Sequence, residues 1–248
     1  NGAVTVFRRN GASWSEFVRL LAPDGASFDY FGQSVSASGD YVAIGAPLSA
    51  GNGASNSGAV YVFSRSAGQW SLFFEITPDG SPSDYLFGTS VALAGDVLLV
   101  GAPGVAVNSN PGAGTVFVYQ RTQSNFTLQA MFNSSAPATN GGFGRVLDFD
   151  GTTAIVGKEV FAKIDATTYN YNTTLVASAT DVSDGTGLAV AVSGSTIILG
   201  SPFANSNAGS AAVFTLNANG NWALSQVLTA SDASINSKFG SAVAVRNN

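Results

Sequence analysis

The stretch that decides the fold is Phe31-Gly32-Gln33-Ser34-Val35-Ser36-Ala37-Ser38-Gly39-Asp40-Tyr41-Val42-Ala43-Ile44-Gly45-Ala46-Pro47. It opens on Phe-Gly, turns at Gly-Asp and closes on Gly-Ala-Pro. The same spacing returns from Phe87-Gly88 through Gly95-Asp96 to Gly101-Ala102-Pro103. A third copy runs from Phe143-Gly144 to Gly157 with Lys158-Glu159 in place of Ala-Pro. A fourth has Thr186-Gly187 for Phe-Gly and ends Gly200-Ser201-Pro202. A fifth begins Phe239-Gly240 and runs to Val245. A fixed period of this length is the mark of a repeat architecture.

Between the copies lies a second recurring half, Gly58-Ala59-Val60-Tyr61-Val62-Phe63-Ser64-Arg65, followed by an apolar stretch from Trp70 to Thr77-Pro78-Asp79-Gly80. Equivalents begin at Gly2, Gly114, near Val160 and at Gly209, with Trp14, Phe126 and Trp222 in the Trp70 place. Each unit reads as four short strands rich in Val, Ile and Phe, bounded by Gly, Asn, Asp and Ser. Gly39-Asp40, Gly95-Asp96, Asp150-Gly151 and Gly194-Ser195 occupy hairpin turns that need positive φ. No stretch sustains a helical period. The reading is all-β: a β-propeller of about five four-stranded blades in one domain over 1–248, with blades near 31–86, 87–142, 143–185 and 186–238. The last blade is shared between the termini, residues 239–248 plus 1–30.

In that shared blade a strand at 239–245 is expected beside the strands of residues 2–22, and the equivalent of Tyr41–Pro47 is missing. Three explanations fit: a three-stranded blade, a strand supplied by a partner, or a longer propeller of which this chain is a part. Asn1-Gly2-Ala3-Val4 has none of the features of a signal peptide, so a secreted protein would have had its signal removed or have it outside residues 1–248.

Composition narrows the function. Charged residues are 10% of the 248, and 10 Lys and Arg against 15 Asp and Glu give a net charge of −5. That balance disfavours nucleic acid and anionic membrane as partners. No apolar run reaches the ~20 residues of a membrane span. There is no His and no Cys, so Ser-His-Asp, Cys-His and thiolate chemistry are absent. Paired carboxylates could still hydrolyse glycosides, but the Asp residues recur in turns: Asp24 with Asp29, Asp79 with Asp84, Asp181 with Asp184, and Asp232. Such recurrence marks turn caps, and no catalytic residue is assigned.

The Phe-Gly to Gly-Ala-Pro spacing resembles the FG-GAP repeats of integrin α-subunit propellers and related lectins, most closely a subgroup in which Phe-Gly-x-Ser-Val-Ala-x-Ser-Gly-Asp runs on without a long insertion. The resemblance spans essentially the whole chain. It implies a propeller with an extracellular or cell-surface location and a role in adhesion, glycan binding or assembly. Many such blades carry a calcium loop with several Asp ligands. Here the matching turns are Ser38-Gly39-Asp40, Ala94-Gly95-Asp96 and Ser193-Gly194-Ser195; only Asp148-Phe149-Asp150-Gly151 offers two carboxylates. Asp148 and Asp150 are therefore the metal candidates, with an Asx turn preferred. No cofactor is expected.

Three N-x-S/T sequons begin at Asn125, Asn133 and Asn172. Aligning the units puts Asn125 and Asn172 together in the hairpin between the third and fourth strands, where a glycan would leave the core undisturbed. The recurring aromatics, Phe31, Phe87, Phe143 and Phe239 with the Trp70 column, read as packing between blades. The less regular Tyr30, Tyr85, Tyr169 and Tyr171 are candidates for a binding surface. These features favour a non-enzymatic extracellular module for adhesion or structure, including a subunit of a coat or fibre formed through the terminal blade. Its partners would be other extracellular proteins or glycans. A lectin with sugars between blades is the alternative, and a carboxylate glycosidase a remote one.

Overall fold

The computed structural model of the chain describes residues 2–50, 53–80, 83–177, 185 and 187–246. Thr186 and the Asp181–Asp184 pair lie outside these, as do the terminal Asn1 and Asn248. Two compact units are present: residues 1–133 with 137–142, and residues 134–136 with 143–248. In the first unit, β1 (Val4–Asn10) and β2 (Ser13–Leu20) form a two-stranded sheet. A four-stranded sheet follows, β3 (Ser34–Ser38), β4 (Tyr41–Ala46), β5 (Ala59–Ser66) and β6 (Gln69–Ile76). The next is β7 (Ser90–Ala94), β8 (Val97–Ala102), β9 (Thr115–Arg121) and β10 (Phe126–Phe132).

The second unit holds a sheet of β11 (Leu147–Phe149), β12 (Thr153–Val156), β13 (Glu159–Lys163) and β14 (Tyr169–Thr174). Its second sheet is β15 (Ala189–Ser193), β16 (Thr196–Ser201), β17 (Ser210–Leu216) and β18 (Trp222–Leu228). Every four-stranded sheet is antiparallel with its strands in chain order. This is the blade of a β-propeller, and the fold is all-β as the repeat predicts.

The continuous apolar runs become second and third strands covered on both faces. Val97–Ala102 is buried at every residue, and Ala59–Phe63 likewise. Apolar side chains of adjoining sheets fill the space between them: Val60, Val62 and Ile76 meet Val91, Leu98 and Val100 in the first unit. In the second, Ile155 and Val160 meet Ile197, Leu199 and Phe214. Burying such side chains contributes about 1.5–3 kcal/mol each. The two-residue turns behave as expected, with φ of 59° at Gly39, 58° at Gly95 and 55° at Gly194. The third strand ties down the first two of them. The Arg65 amide donates to the Asp40 carbonyl (2.7 Å) and its guanidinium to the Asp40 carboxylate (2.6 Å). Arg121 repeats both contacts on Asp96.

The repeated glycines mark where two backbones meet. Within a sheet, the Gly32 amide donates to the Gly45 carbonyl, Gly88 to Gly101 and Gly187 to Gly200, each at 3.0 Å. Between neighbouring sheets, a methyl on Gly45 would fall on the Gly88 carbonyl oxygen and one on Gly58 on that of Phe87. The second unit repeats this with Gly200 against Gly240 and Gly209 against Phe239. The phenylalanines of the motif then turn onto the third strand of their own sheet. Phe31 meets Tyr61 edge-on at 5.5 Å, Phe87 meets Phe117 at 5.3 Å and Phe143 meets Phe161 at 5.6 Å. Lys158-Glu159 replaces Ala-Pro because β12 and β13 join through a tight turn, Val156 pairing with Glu159.

The expected strand at 239–245 is not formed. Gly209 and Phe239 make a single parallel bridge, and Ala242–Arg246 makes no ladder among the described residues. A strand needs a partner for its amides and carbonyls, and among the described residues this segment pairs with a strand neighbour at Phe239, whose amide donates to the Ala208 carbonyl (2.9 Å). The β1–β2 sheet has two strands among the described residues.

Replacing Gly45 by Ala should cost about 3 kcal/mol or more through overpacking against Gly88. Ala at Gly39, whose added methyl meets nothing within 4 Å, should cost only the left-handed penalty of about 1–2 kcal/mol. Denaturant unfolding of both variants checks the order.

Candidate functional site

A cleft of about 760 Å³ lies in the first unit, between β6 and the face of β9 and β10. That volume suits a small ligand or a short segment of a larger one. Phe74 and Ile76 of β6 form one wall, Phe117, Tyr119 and Phe126 the other, and Val105–Asn108 one end. The β8–β9 loop is held there by backbone bonds. The Gly104 amide donates to the Tyr85 carbonyl (3.1 Å), and the Gly114 amide to that of Val105 (2.9 Å).

Tyr85 enters the cleft from a strained approach. Asp84 and Leu86 on either side have φ of 62° and 56°. Their amides donate to Ser55 and Asn56, and the Asn56 side chain donates to the Asp84 carboxylate (2.8 Å). These bonds offset the left-handed cost.

Asp79 brings a carboxylate to the cleft, and no Lys or Arg lines it among the described residues. The Glu75 side chain lies on the other face of β6, opposite Tyr61, whose hydroxyl donates to Asp24 (2.8 Å). Burial, and then the charge of Asp24, holds the Glu75 carboxyl above its ordinary range. Burial and the nearby charge of Asp79 push the Tyr119 phenol well up. The Tyr119 shift marks a wall of the cleft from which solvent is partly excluded. Asn133 stands at the rim, its Oδ1 accepting from the Thr115 hydroxyl (2.7 Å).

The tyrosines singled out from the sequence do not share one surface. Tyr85 lines the cleft. Tyr30 is exposed with φ of 58°. Tyr169 is buried against Phe149, with its phenol pushed up to about 12 by burial. It is the β14 member of the column of Trp70, Phe126 and Trp222: Lys163 pairs with Tyr169 as Arg65 pairs with Trp70. Tyr171 is exposed, its ring edge-on to Phe161 at 5.9 Å and its hydroxyl against that of Thr174 at 2.9 Å.

The sequons also separate. Asn125 closes the β9–β10 hairpin, its Oδ1 accepting from the Thr122 hydroxyl (2.5 Å). Asn172 is not at the matching tip. It sits inside β14 at a β-bulge, where Val160 pairs with Thr173 and Phe161 with Tyr171, leaving Asn172 unopposed and exposed. Equivalent bulges fall at Phe17, Phe73, Gln129 and Ser225. A bulge turns the extra residue out of the ladder.

Asp148 and Asp150 are engaged with backbone amides. Asp150 Oδ1 accepts from the amides of Thr152 and Thr153 (2.9 Å each), the expected Asx turn. Their other oxygens reach the adjoining sheet: Asp148 Oδ2 accepts from Val192 and Asp150 Oδ2 from Gly194, both at 2.8 Å. In the first unit, Ser36 and Ser38 hold the same places, their hydroxyls accepting from Leu93 (2.9 Å) and Gly95 (3.0 Å). No group of three or more acidic side chains suited to a metal occurs among the described residues.

Burial is the main cause holding the Asp148 carboxyl above its ordinary value, against the amides of Val192 and Phe149, which lower it. A carboxyl raised on folding favours the folded state most when protonated, so its contribution falls as pH rises from just below 4 through the folded value. Asp148→Ser, copying Ser36, should keep the Val192 bond and remove this slope. Asp148→Ala should strand a buried amide at about 1–3 kcal/mol. Thermal unfolding of both variants between pH 3 and pH 7 tests this.

No curated protein matches the chain. Residues 14–63 and 70–119 match the family described as FG-GAP repeat. Each match starts at the outer-strand tryptophan, Trp14 or Trp70, and runs through Phe-Gly and Gly-Ala-Pro to the third strand of the following sheet, at Phe63 or Tyr119. In spacing, in sheet order and in this match, residues 14–63 and 70–119 are FG-GAP repeats of the β-propeller kind.

Proposed function

We propose that the chain is a non-enzymatic extracellular binding module, an adhesion or structural β-propeller that recognises its partner through the cleft between the sheets β3–β6 and β7–β10. The observation that carries this is the cleft itself: an aromatic-walled cavity of about 760 Å³ whose lining also includes the polar residues Thr77, Asp79, Asn108 and Asn133. FG-GAP repeats are typical of extracellular and surface proteins, and no described helix is long and apolar enough to cross a membrane. The propeller of this kind is typically non-catalytic. The chain has no His and no Cys, and the turn carboxylates Asp148 and Asp150 serve as hydrogen-bond acceptors between sheets.

A lectin is the second reading. Phe117, Tyr119 and Phe126 beside Asn108 and Asn133 offer ring faces and amides of the kind that hold sugars.

Leu128 lines the cleft and is partly exposed, so Leu128→Trp should fill the space while sparing the core. Binding of wild type and variant to arrays of matrix proteins and of glycans tests the proposal. Saturable binding lost in Leu128→Trp supports it, and sugar-competed glycan binding selects the lectin. Equal binding by both proteins overturns the cleft as the site. Secretion predicts that the natural protein loses mass on glycosidase treatment at Asn125 and Asn172, both accessible. Asn133, bonded to Thr115 at the cleft rim, would carry its glycan at the mouth of the site.

A further inference from the structure

We propose that the open edge of β1 takes a strand from a partner polypeptide, and that this strand begins Gly-Asp and carries a glycine five residues after the aspartate, as Asp40 is followed by Gly45. Among the described residues β1 has one strand neighbour, β2. Its register there is that of β5 on β6: Val4, Thr5, Val6 and Phe7 face Leu20, Arg19, Val18 and Glu16 as Val60, Tyr61, Val62 and Phe63 face Ile76, Glu75, Phe74 and Leu72, with the bulge at the same step. The other edge of β5 is filled by β4. Alternation along an antiparallel strand turns the amides of Thr5, Phe7 and Arg9 to the open edge, as the Arg65 amide is turned to Asp40. Phe7 is 54% exposed where Phe63, with β4 beside it, is 6% exposed. An apolar edge with unpaired amides is a template for an added strand.

The other sheets specify what this edge accepts. In the place of Arg9 they carry Arg65, Arg121, Lys163 and Leu216, and the amide of each donates to the carbonyl of a turn residue before the second strand: Asp40, Asp96, Thr152 and Ser195. Carboxylates thus meet the two arginines, and hydroxyl residues stand opposite the lysine and the leucine. Arg9 lacks such a carboxylate. Among the described residues the ion pairs are Arg65–Asp40 and Arg121–Asp96, while Arg9 Nε donates to the Gly11 carbonyl (2.9 Å). The glycine follows from the adjoining sheet. A methyl on Gly2 would fall on the Phe31 carbonyl oxygen as one on Gly58 falls on that of Phe87, and Gly32 lies against Ala3 and Val4 as Gly88 lies against Ala59 and Val60. Gly32 therefore passes over the place opposite Val4, which Gly45, Gly101 and Gly200 hold opposite Val60, Val116 and Ala211. The chain's own strands of this kind, β4, β8, β12 and β16, each lie between two neighbours in their sheets, so the donor is another polypeptide.

The test is fluorescence anisotropy, with the whole chain titrated into a labelled peptide of the sequence of residues 38–47, Ser-Gly-Asp-Tyr-Val-Ala-Ile-Gly-Ala-Pro. The peptide should bind saturably. Replacing its Asp by Asn should weaken binding about two- to fivefold, the worth of an exposed ion pair. Arg9→Gln should weaken the original peptide to the same degree and show no preference between the two peptides. Thr5→Pro removes an amide that faces the edge and spares the ladder to β2, so it should abolish binding with the unfolding temperature little changed. No saturable binding, equal binding by wild type and Thr5→Pro, or equal affinity of the wild type for the Asp and Asn peptides overturns the proposal. A dimer of the chain in sedimentation that Thr5→Pro dissolves also overturns it, because a second copy then holds the edge.

Discussion

Everything in these two units depends on how closely one sheet's entry strand can pass over its neighbour. The Phe-Gly backbone lies on the glycine of the preceding Gly-Ala-Pro segment with no room for a side chain, Gly45 under Gly88 and Gly200 under Gly240. Once that contact is made, the rest is determined in turn. Phe87 is brought over the Phe117 ring, the apolar faces close on each other, and the amides of Leu93 and Gly95 come within reach of Ser36 and Ser38. The motif is thus a statement about backbone proximity more than about side chains. Phe31, Phe87 and Phe143, each with a third strand of its own sheet to lie on, are buried, while Phe239 is exposed.

The period, the strands and the Gly-Asp turns were legible in the sequence because each is a local property: a run of Val and Ile, a glycine where φ must be positive. What was not legible depended on partners distant in the chain. Asp148 and Asp150 looked like ion ligands or simple turn formers, yet each places one oxygen on an amide 44 residues away. Ser36 and Ser38, which do the same work, carry no signal that sequence reasoning could weigh. Register was the other blind spot. The β13–β14 connection is one residue longer than that between Arg65 and Trp70, so Tyr169 was not seen as the member of the aromatic column. With the column at Tyr169, Asn172 falls three residues after it, at the bulge that Gln129 occupies in β10, whereas Asn125 comes just before Phe126.

The cleft was invisible for a related reason. Its walls come from β6, from the β8–β9 loop and from β9 and β10, and no segment announces the space between them. Of the binding-surface tyrosines only Tyr85, irregular in its place beside Phe-Gly, lines it. Its neighbours Asp84 and Leu86 hold left-handed conformations braced by hydrogen bonds to the preceding loop. The site is thereby built on backbone fixed by the same inter-sheet approach that organises the fold.

The offset between the FG-GAP repeat and the sheet has a mechanical meaning. A match that starts in the outer strand β2 or β6 and ends in the third strand of the next sheet makes the chain itself a stitch across every interface it spans. Separating the β3–β6 sheet from the β7–β10 sheet therefore means stretching a covalent connection as well as parting a core. A pull on one sheet is handed to its neighbour along the Trp70-to-Phe87 segment, so the first unit should bear load as a laminate, yielding across several sheets together instead of shedding them one at a time.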